Sequence, residues 1–271
     1  MFTTGKEWTE EDIKFLKDNY ITMTTRELAN SLDRTYSSVE NKRGKLGLKD
    51  ERKYNFDFDF FKDPLTEHSA YWLGFIGADG YVSDEGKSLG ITLKNDDYEH
   101  LKKFNKTLNG NVPVVFRERV ATVISGRQTG IRKQCSIRLY STEMVKDLYS
   151  YGIVPRKSLI IEFPPIKDDY LLWCYIRGYF DGDGSLYYDK RSNQLRAKIT
   201  SGSYSFIESF SEYLKRFEIK TYITSTKTDC GITGKECTRL FLSKIYDNAN
   251  IYLDRKYKKY KKYKYLFGFN E

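Results

Sequence analysis

The chain has 271 residues, 39% of them hydrophobic, which is enough to fill a core and excludes a disordered or fibrous protein. Lys and Arg number 46 against 37 Asp and Glu, and the resulting charge of +9 calls for a polyanionic partner without separating nucleic acid from a membrane surface. No apolar run reaches the roughly 18 residues of a membrane span, and Met1-Phe2-Thr3-Thr4-Gly5-Lys6 begins no signal peptide, so a cytoplasmic, non-secreted protein is expected.

Four cysteines (Cys135, Cys174, Cys230, Cys237) without a Cys-x-x-Cys pair, and two histidines, leave almost nothing from which to build a zinc site. They read as reduced core or strand residues, with a Cys230–Cys237 hairpin disulfide as the lesser alternative.

Residues 1–49 read as a small all-α module of three short helices. Thr9 with Asp12 and Thr24 with Glu27 open the first two, and Thr35 caps a third over Tyr36 to Leu46 that Gly47 ends. Nine basic and nine acidic residues among the first fifty leave the module neutral, but Lys42, Arg43 and Lys45 gather on the third helix, the element that would enter a major groove. Trp8-Thr9-Glu10-Glu11-Asp12, Thr25-Arg26-Glu27-Leu28-Ala29 and Lys42-Arg43-Gly44-Lys45-Leu46 resemble a Myb/SANT-type helix-turn-helix; a small helical bundle that contacts protein is the competing reading. Residues 50–65 form a linker whose aromatics, Phe56, Phe58, Phe60 and Phe61, are expected to pin it to a neighbouring surface.

The rest is organised around one stretch and its echo. Tyr71-Trp72-Leu73-Gly74-Phe75-Ile76-Gly77-Ala78-Asp79-Gly80 and Tyr175-Ile176-Arg177-Gly178-Tyr179-Phe180-Asp181-Gly182-Asp183-Gly184 are each an apolar helix running into an Asp-Gly stop. Small residues four apart (Gly74 and Ala78; Gly178 and Gly182) let two such helices meet backbone to backbone, which brings Asp79 and Asp183 side by side. Two carboxylates at one exposed helix end favour a hard divalent cation such as Mg2+ or Mn2+.

After each stretch the order strand, strand, helix, strand, strand, helix recurs with a period of about a hundred residues, which divides the chain into halves at 66–166 and 167–271 and makes the fold α+β. In the first half the strands are expected at Tyr81 to Ser83, Leu89 to Lys94, Val112 to Val120 and Lys133 to Tyr140. In the second they are expected at Ser185 to Tyr188, Leu195 to Thr200, Lys220 to Lys227 and Cys237 to Leu242.

Trp72 to Gly80 and Ile176 to Gly184 fill the nine-residue signature of the LAGLIDADG homing endonucleases, which this chain resembles in its two-motif, single-chain form. The first copy has Gly77 where the sixth place is usually aspartate. The resemblance implies two pseudo-symmetric αββαββα halves forming a saddle over the major groove, with staggered cuts across the minor groove. It also implies divalent metals at Asp79 and Asp183, with the backbone carbonyls of Ala78 and Gly182 facing them. One lysine per half is placed beside the scissile phosphate, and Lys157 and Lys256 stand at similar distances beyond the two aspartates. A polar residue on the second strand of each half completes the implied site, at Thr92 and Lys198.

The strand and loop composition suits a polyanion. Arg117, Arg119, Arg127, Arg132, Lys133 and Arg138 face one acid, Glu118; in the second half Lys190, Arg191, Arg196 and Lys198, with Lys227 and Arg239 further on, form a second basic set. Gln128, Tyr187 and Thr224 are candidates to read base edges. The tail from Tyr252 to Tyr265 alternates lysines with tyrosines at helical spacing. The expected protein is a monomeric, free-standing or intron-encoded double-strand DNA endonuclease with a long asymmetric target. The alternatives on the same scaffold are a non-cleaving DNA-binding transcription regulator and an intron RNA maturase.

Overall fold

The computed structural model describes residues 6–20, 23, 25–48, 54–119, 123–124, 127–128 and 130–266. The chain divides into two compact units, Met1–Asn55 and Phe56–Glu271.

The first unit holds α1 (Glu10–Asn19), α2 (Thr25–Ser31) and α3 (Tyr36–Lys45). Thr9 and Asp12 form a reciprocal capping box at the start of α1, and the Thr35 side chain accepts the Ser38 N–H at the start of α3. Thr24, the expected start of the second helix, lies outside the described residues. Leu16, Leu28, Ala29, Leu32 and Val39 form the core, covered by Trp8, Tyr20, Met23, Leu46 and Leu48. Arg34 ties the entering chain down: its guanidinium lies 4.0 Å from the Trp8 ring centre and bonds the Lys6 and Glu7 carbonyls and the Asp12 carboxylate.

The second unit is built twice. Its first half contains α4 (Glu67–Asp79), β1 (Gly80–Val82), β2 (Ser88–Lys94), α5 (Tyr98–Thr107), β3 (Val115–Arg119), the short pair β4 (Val123–Ile124) and β5 (Arg127–Gln128), β6 (Arg132–Tyr140) and α6 (Thr142–Ser150). The second contains α7 (Asp169–Asp183), β7 (Gly184–Asp189), β8 (Gln194–Thr200), α8 (Tyr204–Lys215), β9 (Thr221–Ile223), β10 (Asp229–Ile232), α9 (Lys235–Tyr246) and α10 (Asp254–Leu266). Each half forms one four-stranded antiparallel sheet, ordered β1-β2-β6-β3 and β7-β8-β10-β9. Both sheets bury one face. In β8, for example, Leu195, Ala197 and Ile199 are buried while Gln194, Arg196, Lys198 and Thr200 lie on the other face.

The seam is the α4–α7 pair. A Cβ on Gly74 would sit 1.9 Å from the Tyr175 carbonyl oxygen, and one on Gly178 would sit 1.9 Å from that of Tyr71. Only glycine permits this backbone contact, and the reciprocal geometry is that of a twofold-related pair. Buried on most of their surface, the helices are largely apolar, with Trp72, Tyr71, Tyr175, Phe75 and Phe180 among the largest buried side chains. Phe56 and Phe61 are buried as well.

One expected element is corrected. Cys237 to Leu242 is helix, not strand, and the fourth strand of the second half is β10, closed by Gly234 at φ +88°. Phe241, Leu242, Ile245 and Tyr246 repeat at helical spacing and are fully buried. Cys230 lies on β10 and Cys237 on α9, and all four cysteines are free.

Candidate active site at the paired helix ends

The close seam carries α4 and α7 to their C-termini together. A Cβ on Gly182 would lie 2.4 Å from Ala78 Cβ and 3.3 Å from Asp79 Oδ2, so the two Asp-Gly ends share one place. Asp79 is half-buried and Asp183 is exposed. Burial, and next the negative charge of Asp183, push the Asp79 carboxyl up to about 6 from 3.8. Partial desolvation raises Asp183 too, opposed by Lys157 and Lys256.

Both predicted lysines are buried and serve equivalent places. Lys157 sits in a one-turn 3-10 helix (Lys157–Leu159), and its Nζ donates to the Gly80 carbonyl at 2.7 Å. Lys256, in the first turn of α10, donates to the Gly184 carbonyl at 2.5 Å, to that of Gly182 at 3.3 Å, and to that of Phe180. Gly80 and Gly184 cap the two motif helices, so each lysine places a cation where carbonyls and the helix dipole concentrate negative charge. Burial lowers both ammonium groups, Lys256 to about 8, while the aspartates oppose the shift. The Gly182 carbonyl thus faces Lys256, and Ala78 presents its Cβ to Gly182.

Among the described residues no three His, Cys, Asp or Glu side chains cluster as metal ligands. Two carboxylates in a partly desolvated place, one of them pushed up by the charge of the other, nonetheless fit a hard cation that keeps water or substrate oxygens for its remaining ligands.

The second-strand residues fall differently from expectation. Gly80 pairs with Ile91, and Gly184 with Ile199, so Thr92 corresponds to Thr200, and Lys198 to Gly90. Thr92 is exposed on β2. Lys198 pairs with Asp229 Oδ1 at 2.9 Å, and that carboxylate also accepts from Thr200.

Of the predicted polyanion contacts, Arg117, Arg132, Arg138, Tyr187 and Arg196 lie on the open sheet faces, and Lys190 and Arg191 occupy the exposed β7–β8 turn. Thr224 and Lys227 lie in the β9–β10 turn, where Lys227 stands over the Tyr204 ring. Lys133 has the strand parity of buried Cys135 and Ile137 and pairs with Glu118 on the opposite face from Arg132. Arg239 is on α9, off the sheet, beside Glu236. In the first unit Lys45 is exposed and Lys42 half-buried, but Arg43 is buried, bonded to Thr25 Oγ1 at 2.7 Å and near Glu40. Arg43 is therefore a core cation, not placed to contact nucleic acid as expected. The side chains of Arg119, Arg127 and Gln128 lie outside the described residues.

Sequence reasoning missed the polar contacts along the seam. Arg177 of α7 is buried and paired with Glu67 of α4 at 2.7 Å. Asp181, fully buried, accepts from Tyr71 Oη at 2.8 Å, Tyr246 Oη at 2.6 Å and the Leu253 N–H at 2.7 Å. The signal was present: aligning the two motifs sets Tyr71 against Tyr175 but Gly77 against Asp181, so one tyrosine has a carboxylate to reach and its twin has none.

Twin α+β halves that touch along helices ending in aspartate define a duplicated carboxylate-site protein. Residues 173–246 match the family model of the LAGLIDADG-like domain. The matched stretch runs from within α7 to the end of α9, all in the second half. The fold of the chain is that of the homing endonuclease I-WcaI, solved bound to its DNA recognition sequence: TM-score 0.50 at 19% identity, covering 81% of this chain and 96% of that one. The DNA-directed RNA polymerase subunit Rpo1C of Methanocaldococcus jannaschii is 27% identical over 127 residues, which is 47% of this chain and 14% of that protein. The uncharacterized protein Lin2408 of Listeria innocua is 38% identical over 56 residues, 21% of this chain and 74% of its own length. Among the described residues no helix is long and apolar enough to cross a membrane.

Proposed function

We propose that the chain is a site-specific double-strand DNA endonuclease, hydrolysing phosphodiester bonds with a divalent cation, Mg2+ or Mn2+, held between Asp79 and Asp183. The observation that carries this reading is the shared helix end, where one carboxyl is held up to about 6 by burial and by its neighbour's charge. A protein with no use for a cation gains nothing from an aspartate kept in that state, which speaks against a non-cleaving regulator. A cation bound there would polarise the scissile phosphate and supply an activated water.

The chain's own residues do the rest. Asp79 and Asp183 hold the cation, and Lys157 and Lys256 fix the two helix ends and bring positive charge to an approaching phosphate. Arg117, Arg132, Arg138 and Arg196 on the open sheet faces contact the DNA backbone, and one chain supplies both halves, so the working form is a monomer. Lys42 and Lys45 of the first unit add a separate DNA contact.

The test is a cleavage selection on a randomised duplex library with and without magnesium, run beside Asp79→Asn and Asp183→Asn. Recovery of one long target, cut only with metal and by neither variant, is expected. Double-strand cutting by either variant would refute the assignment.

A further inference from the structure

The two lysines reach their helix ends through unequal supports. Behind Lys256 stands a continuous set of bonds: buried Asp181 accepts the Leu253 N–H at 2.7 Å, and the Leu253 carbonyl accepts the Lys256 N–H at 3.0 Å, opening α10. Tyr246 Oη and Tyr71 Oη fix the same carboxylate from α9 and from the other half, and His100 Nε2 lies 3.1 Å behind Tyr71 Oη. Further ties on this turn come from the first half: Arg255 reaches the buried Asp97 carboxylate at 3.1 Å, and Lys103 donates to Asp254 and to the Tyr252 carbonyl, but none of them touches Leu253.

In the first half Gly77 takes the place of Asp181. The Oη of Tyr175, twin of Tyr71, is buried with no hydrogen-bond partner among the described residues, and a Cβ on Gly77 would stand 3.0 Å from it. Among the described residues Lys157 donates only to the Gly80 carbonyl.

We propose that Asp181 is a positioning residue that seats Lys256 at the end of α7 by clamping the Leu253 amide, and that the two lysines are therefore set independently. A charge-assisted bond to a buried amide is among the stronger single contacts available, and its removal frees the turn that carries the lysine. For cleavage the inference rests on the endonuclease reading; for the placement of Lys256 it does not.

The experiment is timed acetylation of the full chain by an amine-reactive ester, without DNA or metal, read for each lysine by peptide mass spectrometry. In Asp181→Asn, Lys256 is expected to react roughly tenfold faster than in the wild type, with Lys157 unchanged. Unchanged Lys256 reactivity, or an equal rise at Lys157 that reports general loosening, would overturn the proposal. Tyr246→Phe removes one of the two hydroxyl donors and keeps the carboxylate; it is expected to raise Lys256 reactivity by a smaller factor, and it carries the test if Asp181→Asn does not fold. A wild-type protein that cuts no DNA would sink the endonuclease reading and leave this result standing.

Discussion

Asp79→Asn is expected to abolish cleavage and to stabilise the protein. The Asp79 carboxyl stands at about 6 against an ordinary 3.8, so the folded state holds that proton more tightly than the unfolded chain does. Its contribution to stability is complete below pH 4 and is lost as pH rises through 6. At about 1.4 kcal/mol per pH unit, the ionised side chain costs the apo protein about 3 kcal/mol at pH 8. Asparagine escapes that cost. In a unit of this size it corresponds to a rise in Tm of about 5–10 °C. The assay is thermal unfolding followed by circular dichroism in excess chelator, wild type against variant, from pH 4 to pH 8. The gap should open between pH 4 and 7 and then level off, and saturating magnesium should narrow it by raising the wild type alone. A variant no more stable than wild type at pH 8 in chelator would refute the claim that the paired carboxylates are held at a cost.

Gly178→Ala must push a methyl group to within 1.9 Å of the Tyr71 carbonyl oxygen, so urea unfolding should report a loss above about 3 kcal/mol or no folded protein. Arg177→Met leaves Glu67 without its cation, held by Asn250, and should cost about 3 kcal/mol, much of it recovered in the double variant with Glu67→Gln. Lys256→Met is expected to lower single-turnover cleavage by about 100-fold, with metal-free DNA affinity by fluorescence anisotropy changing less than about threefold. Arg138→Ala and Lys198→Ala should each relax the selected target on one side of the cut, and on opposite sides; relaxation on the same side by both would refute the arrangement of the two sheets.

The motif helices were legible because their information is local: the small residues at i and i+4 and the Asp-Gly stops fix both the contact and the meeting of Asp79 with Asp183. Lys157 and Lys256 were reached through the family pattern, and nothing in their own neighbourhood predicted burial, since Arg-Lys in a sequence reads as surface charge. Cys237 to Leu242 misled because a six-residue window cannot separate the two periodicities; Ile245 and Tyr246, just beyond it, settle the matter as helix. Arg43 misled for a different reason. Its partner Thr25 lies on another helix, and only the packed unit brings the two together. Thr92 was set against Lys198 because the turns between first and second strands differ in length, which only the pairing register resolves.

That register also shows how the open faces of the two halves differ. On the open face of the first sheet Tyr81, Gly90 and Arg138 stand in one row, and in the second the corresponding row is Ser185, Lys198, Gly231 and Tyr222. Each row holds one cation and one tyrosine ring laid across a glycine, Tyr81 over Gly90 and Tyr222 over Gly231. The cation has moved one strand, from the third position in the first sheet to the second position in the other. A ring and a charge exchanged in this way keep the packing of the row while changing where its donors point, so two halves alike in fold present different faces. The seam shows the same economy at Gly77 and Asp181, where a single side chain distinguishes the support of one lysine from that of its twin. Symmetry is kept where backbones touch and given up on the open sheet faces and behind the lysines, because only the backbone contact of α4 and α7 requires the same residue on both sides.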